Sequence, residues 1–148
     1  MNQNDNNKAT HDEDNIVADC LFCKVLRNET PSTKVYEDDE TLAFLNIFPH
    51  TRGHMLIIPK NHHENIYDLP VEIWCRMNIT AQKIAIAMKN ALSADGINVI
   101  MNNEPTAYQV IFHAHLHIIP RYNDFTEEKY TYVENEMDAV VKELQEVL

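Results

Sequence analysis

Basic residues are scarce in this chain of 148 residues: 12 Lys and Arg stand against 23 Asp and Glu, a formal net charge of −11. A field of that sign repels polyanions, which argues against sequence-specific nucleic-acid binding or an anionic-membrane surface. One small anion in a locally prepared pocket remains compatible with it. Long apolar runs are missing as well, and none approaches the roughly 18–20 residues needed to cross a bilayer. The opening stretch, MNQNDNNKATHDEDN, is polar and acidic and reads as neither a secretory nor a mitochondrial leader. Cysteine is limited to three residues, an odd set with two spaced as Cys20-x-x-Cys23. A disulfide-stapled secreted domain is therefore not expected; a cytoplasmic location is, with the nucleus as a second compartment. What the chain does have is 45% hydrophobic residues, enough for one domain with a core and too few residues for two.

Residues 1–15 offer almost nothing to bury and are expected to form a disordered acidic tail. Residues 16–125 then form the folded domain. Lys34–Glu37 and Thr41–Leu45 read as short strands joined at Asp38 and Asp39, and Met55–Ile58 as an apolar strand stopped at Pro59. Pro70 suits a first helical turn, and Ile73, Met77, Ala81, Ile84, Met88 and Ala91 follow at three- and four-residue steps, predicting one long amphipathic helix. Its Met residues are read as core, and Cys75 as a buried small hydrophobe. Ile97–Met101 and Val110–Ile119 return to strand character, the second stopped by Pro120. Residues 126–148 carry Val133, Met137, Val140, Val141, Leu144 and Val147 at helical spacing among many acidic residues. They predict a C-terminal amphipathic helix packed on, or extending, the domain. Several strands with two helices and no crossover pattern give a compact α+β fold.

The sharpest feature is Phe112-His113-Ala114-His115-Leu116-His117-Ile118-Ile119-Pro120. In a strand, alternate side chains share a face, so the three imidazoles line one surface while Phe112, Ala114, Leu116 and Ile118 line the other. Three uses of such a row stay open on the residues alone: neutral metal ligands, hydrogen-bond donors to a phosphate, or one covalent nucleophile. Cys20-x-x-Cys23 has the spacing of half a zinc site, with His54, His62, His63 and a member of the histidine row as partners. Disulfide exchange is the rival reading, but it favours a cysteine pair opening a helix after a strand, whereas Cys20 precedes every predicted strand.

These residues resemble the histidine triad (HIT) family of nucleotide-binding hydrolases and transferases. The family signature, His-φ-His-φ-His-φ-φ with φ apolar, is met from His113 to Ile119. Cys20–Lys24, Ala43–Ile47, Gly53–Lys60 and Asn102 to Gln109 match further family blocks in order. The likeness is to the Hint-type branch with zinc-binding members. It implies a mainly antiparallel five-stranded sheet with one central helix, a homodimer, and a structural Zn2+ held by Cys20, Cys23, His62 and His113. It implies that His115 is the nucleophile, that His117 donates to a phosphate oxygen and that His54 supports the triad. Leu21, Phe22, Phe44 and Ile47 would then sandwich a purine, Asn46 would meet the ribose, and Asn102, Gln109 and Val110 would lie on the phosphate side. No organic cofactor is implied.

The function so implied is hydrolysis of a nucleoside 5′-phosphoramidate, of the adenosine 5′-monophosphoramidase kind, through a nucleotidyl-histidine. Dinucleoside polyphosphate hydrolysis is one alternative, and a purine-nucleotide-binding scaffold with little turnover is another. The chain departs from the family pattern in places. Asn46 stands where many relatives have Asp, and Glu104, Ala107 and Tyr108 occupy a loop where the family commonly has glycines. Val110 stands where phosphoramidases have a Ser that helps protonate the leaving group. Glycine opens backbone conformations closed to other residues, so the loop before the triad is the place where strain and altered selectivity are expected.

Overall fold

The computed structural model describes residues 17–124, 126 and 128–148; the expected tail over 1–15 lies outside the described residues. The elements run α1 (Leu21–Leu26), β1 (Lys34–Glu37), β2 (Thr41–Leu45), β3 (Met55–Pro59), α2 (Val71–Ala91), β4 (Gly96–Ile100), β5 (Leu116–Arg121) and α3 (Glu136–Gln145). The five strands form one sheet in the order β1-β2-β3-β5-β4, with every neighbouring pair antiparallel. This is the α+β architecture expected from the sequence. Among the described residues, no helix is long and apolar enough to cross a membrane.

Helices pack on both faces of the central strands of the sheet, and strand alternation decides which residue goes where. Ala43 and Leu45 of β2, Met55 and Ile57 of β3, and Leu116 and Ile118 of β5 pack under α2 and α3. The helices supply Met77, Ala81, Ile84 and Met88 from α2, and Val140 and Leu144 from α3. The α2 residues are the stripe that the spacing predicts. Leu42, Phe44, Leu56 and Ile58 point the other way and meet Phe22 and Val25 of α1. Burying side chains of this size stabilises by about 1.5–3 kcal/mol each. Cross-strand register pairs Phe44 with Leu56 and Leu56 with His117. Residues directly opposite share a face, so His117 emerges on the α1 side, in line with the Phe22–Phe44 cluster.

The structure departs from the sequence expectations at several places. The short helix α1 has no counterpart in the apolar periodicity; it is six residues long, and the Cys20 side chain caps it by accepting from the Cys23 N–H. The cysteine pair therefore does open a helix, although no strand precedes it among the described residues. The histidine run is not one long strand. β5 starts only at Leu116, because the Ala114 N–H is taken by the His63 carbonyl at 2.6 Å, a loop partner off the ladder. At its other end β5 runs through Pro120. The Pro120 carbonyl accepts from the Thr51 hydroxyl at 2.6 Å, so the missing N–H falls on the side where pairing with β3 has already ended at Ile118. The C-terminal helix spans Glu136–Gln145 rather than 126–148: Asn135 sits at φ +63°, a left-handed conformation that breaks the helix before it. Finally, Cys75 is exposed, on the solvent side of α2.

Candidate functional site

A cavity of about 490 Å3 opens on the α1 side of the sheet. Phe22 and Phe44 meet edge to face at 5.6 Å between ring centroids, and Phe22 meets His115 at 5.2 Å. Leu21, Asn46, Ile47, Asn102, Val110, His54, His115 and His117 complete the part of the wall that the sequence foresaw. The volume falls within the 300–1,000 Å3 range of small-molecule sites.

The hydrogen bonds fix which nitrogen of each histidine carries its proton. His115 Nδ1 lies 2.7 Å from the His113 carbonyl, which can only accept, so the proton sits on Nδ1 and Nε2 presents a lone pair. The His50 backbone N–H donates to His54 Nδ1 at 3.0 Å, so the proton of a neutral His54 is on Nε2. That Nε2 lies 3.0 Å from His117 Nδ1, which must therefore accept, leaving His117 as the Nε2–H tautomer. Asn46 Nδ2 approaches His54 Nε2 only to 3.5 Å, and Asn46 Oδ1 is occupied by the Phe48 N–H. The result is an ordered set: a bare nitrogen on His115 beside an N–H on His117, with ring centroids 5.0 Å apart.

This arrangement needs neutral rings, and burial keeps them so. Burial, with the neighbouring His117, His50 and Arg121, pushes His54 down to about 3. Burial and His115 push His117 down to about 4. Burial also lowers His115, partly offset by its bond to the His113 carbonyl.

The first histidine faces away from the cavity. His113 is fully buried, and its Nε2–H donates to the Pro59 carbonyl at 2.9 Å. Its Nδ1 lone pair then points at Cys20 Sγ, 3.4 Å away, and Cys23 Sγ, 3.6 Å away. His62 Nδ1 lies 3.4 Å from Cys23 Sγ, and the four ligand atoms all lie within 4.8 Å of one another. Tetrahedral zinc with Zn–S near 2.3 Å and Zn–N near 2.0–2.1 Å sets S···N separations of about 3.6 Å. Burial pushes the Cys23 thiol up, so a charged thiolate there calls for a cation. Main-chain N–H groups already point at the sulfurs, from Val17 to Cys23 Sγ and from Cys23 to Cys20 Sγ. Two thiolates, two neutral imidazoles and a carbonyl orienting one of them make a closed, charge-balanced structural zinc site.

The family model of the HIT domain matches residues 27–124. The chain belongs to the HIT family. It is 46% identical over 103 residues to Protein hit of Bacillus subtilis, covering 70% of this chain and 71% of that one. It is 44% identical over 103 residues to Adenylylsulfatase HINT3 of Arabidopsis thaliana, covering 70% of this chain and 52% of that one. Among solved structures, a zinc-bound histidine triad family protein from Mycobacterium smegmatis superposes with TM-score 0.80 at 35% identity, covering 87% of this chain and 92% of that one.

Against this HIT framework, Gln109 stands apart. It is buried outside the cavity wall, its Oε1 accepting the Glu104 N–H at 2.9 Å and its Nε2 donating to the Glu64 and Ile111 carbonyls at 2.6 and 3.1 Å. With both ends of its amide engaged, Gln109 ties the loop before the triad to the His63–Glu64 segment. Sequence reasoning missed several wall residues: Thr30, Pro31 and Ser32 ahead of β1, and Phe48 and His50 after β2. His50 carried a signal, because His50-x-x-x-His54 brackets a tight turn at Gly53. The Thr-Pro-Ser stretch carried none, since ordinary linkers have the same composition.

Proposed function

We propose that this HIT protein is a Hint-type hydrolase of nucleoside 5′-phosphoramidates, with purine nucleosides preferred, acting through a covalent nucleotidyl-histidine. One observation carries the reading: the His113 carbonyl holds the His115 proton on Nδ1, so Nε2 faces the cavity as a nucleophile without prior deprotonation. His115 Nε2 attacks the α-phosphorus and forms a P–N bond as the bond to the leaving amine breaks. The amine departs with a proton taken from the site or from water. Water then attacks the same phosphorus, releases the nucleoside monophosphate and returns His115. His117 Nε2–H donates to a nonbridging oxygen where charge accumulates. The Phe22–Phe44 pair and Ile47 offer faces for a flat base, and Asn46 lies on the same wall for the sugar. Zinc, when bound, supplies rigidity: it ties α1, whose Leu21 and Phe22 form one wall, to His113 at the head of the triad.

A second reading is favoured by Val110, which has no proton to give. An anionic leaving group of low basicity, such as the sulfate of an adenylylsulfate, departs without protonation, and the Arabidopsis relative is named for that activity. Single-turnover reactions of adenosine 5′-phosphoramidate and adenylylsulfate, with intact-mass detection of the protein, test both. An adenylyl adduct that forms and decays at the turnover rate and vanishes in His115→Ala establishes the mechanism. The faster substrate identifies the leaving group. Nucleotide binding with no adduct from either substrate leaves a binding protein.

The same reading extends to a homodimer. β4 is a sheet edge that presents Val99 and Ile100 to solvent, and α2 presents Ile79 and Ile86. Sedimentation velocity showing a monomer at micromolar concentration would remove it.

A further inference from the structure

The acidic C-terminal helix lines no part of the 490 Å3 cavity, yet one turn ties it to the histidines there. Arg52 lies between β2 and β3. Its Nε reaches Glu136 Oε1 at 3.2 Å and its Nη2 reaches Glu143 Oε1 at 2.8 Å, both carboxylates belonging to α3. Glu136 is itself oriented, accepting from the Tyr130 hydroxyl and from the Val133 N–H. The main chain of the same turn is gripped again, the Gly53 N–H donating to the Tyr132 hydroxyl at 3.0 Å and the Tyr122 hydroxyl donating to the Arg52 carbonyl at 3.1 Å. The ends of the turn are His50 and His54. The His50 N–H fills His54 Nδ1, and the two rings stack at 5.2 Å.

That one N–H decides the direction of the whole relay. If the turn rotates and the donor leaves, neutral His54 can carry its proton on Nδ1 instead. Its bare Nε2 would then face His117 Nδ1, and the pair keeps a hydrogen bond only if the His117 proton moves to Nδ1. His117 would present a lone pair to the cavity where it now presents an N–H. Moving one main-chain donor by an ångström or two is enough, because a hydrogen bond weakens steeply with distance and angle.

We propose that the C-terminal segment is a positioning element of the site: through Arg52 and Tyr132 it holds the Thr51–Gly53 turn so that the proton stays on His54 Nε2 and on His117 Nε2. The consequence for rate rests on the hydrolase reading; the tautomers do not.

Arg52→Gln removes both ion pairs, and Tyr132→Phe removes a single hydroxyl with little risk to folding. Long-range 1H–15N correlation spectra at pH 7 report the tautomer of each ring. The wild type should show His54 and His117 as Nε2–H forms, and each variant should show tautomer mixtures at both rings. Turnover of adenosine 5′-phosphoramidate should fall about 2- to 30-fold in kcat, the range of positional coupling, with KM within twofold. Lowered melting temperatures with wild-type tautomers in both variants would overturn the proposal and leave the clamp a purely structural one. If the wild type turns nothing over, the hydrolase reading fails, and the tautomer pattern still decides the positioning role.

Discussion

Replacing Glu104 by glycine should stabilise the protein, against the usual direction of a glycine substitution. Glu104 sits at φ +74° and ψ +153°, a region that residues bearing a Cβ essentially do not occupy and that costs about 1–3 kcal/mol when they do. Its side chain is exposed, and the bonds that hold the residue are all made by main-chain atoms. The Glu104 N–H donates to Gln109 Oε1, and the Glu104 carbonyl accepts from the N–H groups of Ala107 and Gln109. Glycine keeps every one of them and removes the strain. Against this stands the extra freedom glycine gives the unfolded chain, worth about 0.4–1 kcal/mol. The net gain is about 1 kcal/mol, or about 3 °C in melting temperature for a chain of this length. Urea titration should move the midpoint upward with an unchanged m-value. Glu104→Ala is the control: it deletes the carboxylate but keeps a Cβ, and should stay within about 0.5 kcal/mol of wild type. If Glu104→Gly is no more stable than Glu104→Ala, the loop relaxes around a side chain and the strain argument is wrong.

Gly53 sits at φ +90°, and an added Cβ would come within 2.6 Å of Leu92 Cδ1; Gly53→Ala should therefore destabilise by about 1–3 kcal/mol in urea, and a neutral outcome would show the turn to be adaptable. With His54 held down to about 3 and His117 to about 4, an unfolded chain near 6.5 binds more protons between those values. Stability is then complete above about pH 6.5 and is lost as pH falls toward 4, by about 2 kcal/mol per ring at pH 5; a melting temperature flat from pH 8 to 5 would contradict this. Extracting zinc with a strong chelator should lower the melting temperature by about 12 °C, taking about 4 kcal/mol for a ligand at a thousandfold excess over its Kd. Cys23→Ser should reproduce the shift and become insensitive to the chelator, whereas a chelator-insensitive wild type would mean the four residues hold no metal.

The difference between what the sequence disclosed and what it hid follows from how far each feature reaches. The α2 stripe is a local pattern with a fixed period, so Met77 and Ile84 could be placed on the buried face from spacing alone, and β2 and β3 were legible as short apolar runs bounded by turn residues and proline. The triad was legible for the same reason, as was the partnership of Cys20, Cys23, His62 and His113 once the family blocks were aligned. Helix α1 stayed hidden because six residues, one of them the ligand Cys23, are too few to show a period. Cys75 was misplaced because residue type was weighed over helical position: it lies two residues from both Ile73 and Met77, about 200° round the helix from the buried stripe, so the spacing itself puts it on the solvent side. The start of β5 was misread for a deeper reason. Val110–His115 has the composition of a strand, but the His63 carbonyl takes the Ala114 N–H, and His115 turns its own ring back onto the His113 carbonyl. Both partners are main-chain atoms, which no residue identity reveals. The chemistry of the site depends on that same kind of partner. The bare nitrogen of His115 is set by one carbonyl, and the donor nitrogen of His117 by one N–H at His50 acting through His54. The sequence names the imidazoles; the fold decides where each proton sits. Substitutions that shift the backbone at His50 or His113 should accordingly change the chemistry more than many substitutions among the wall residues that touch the ligand.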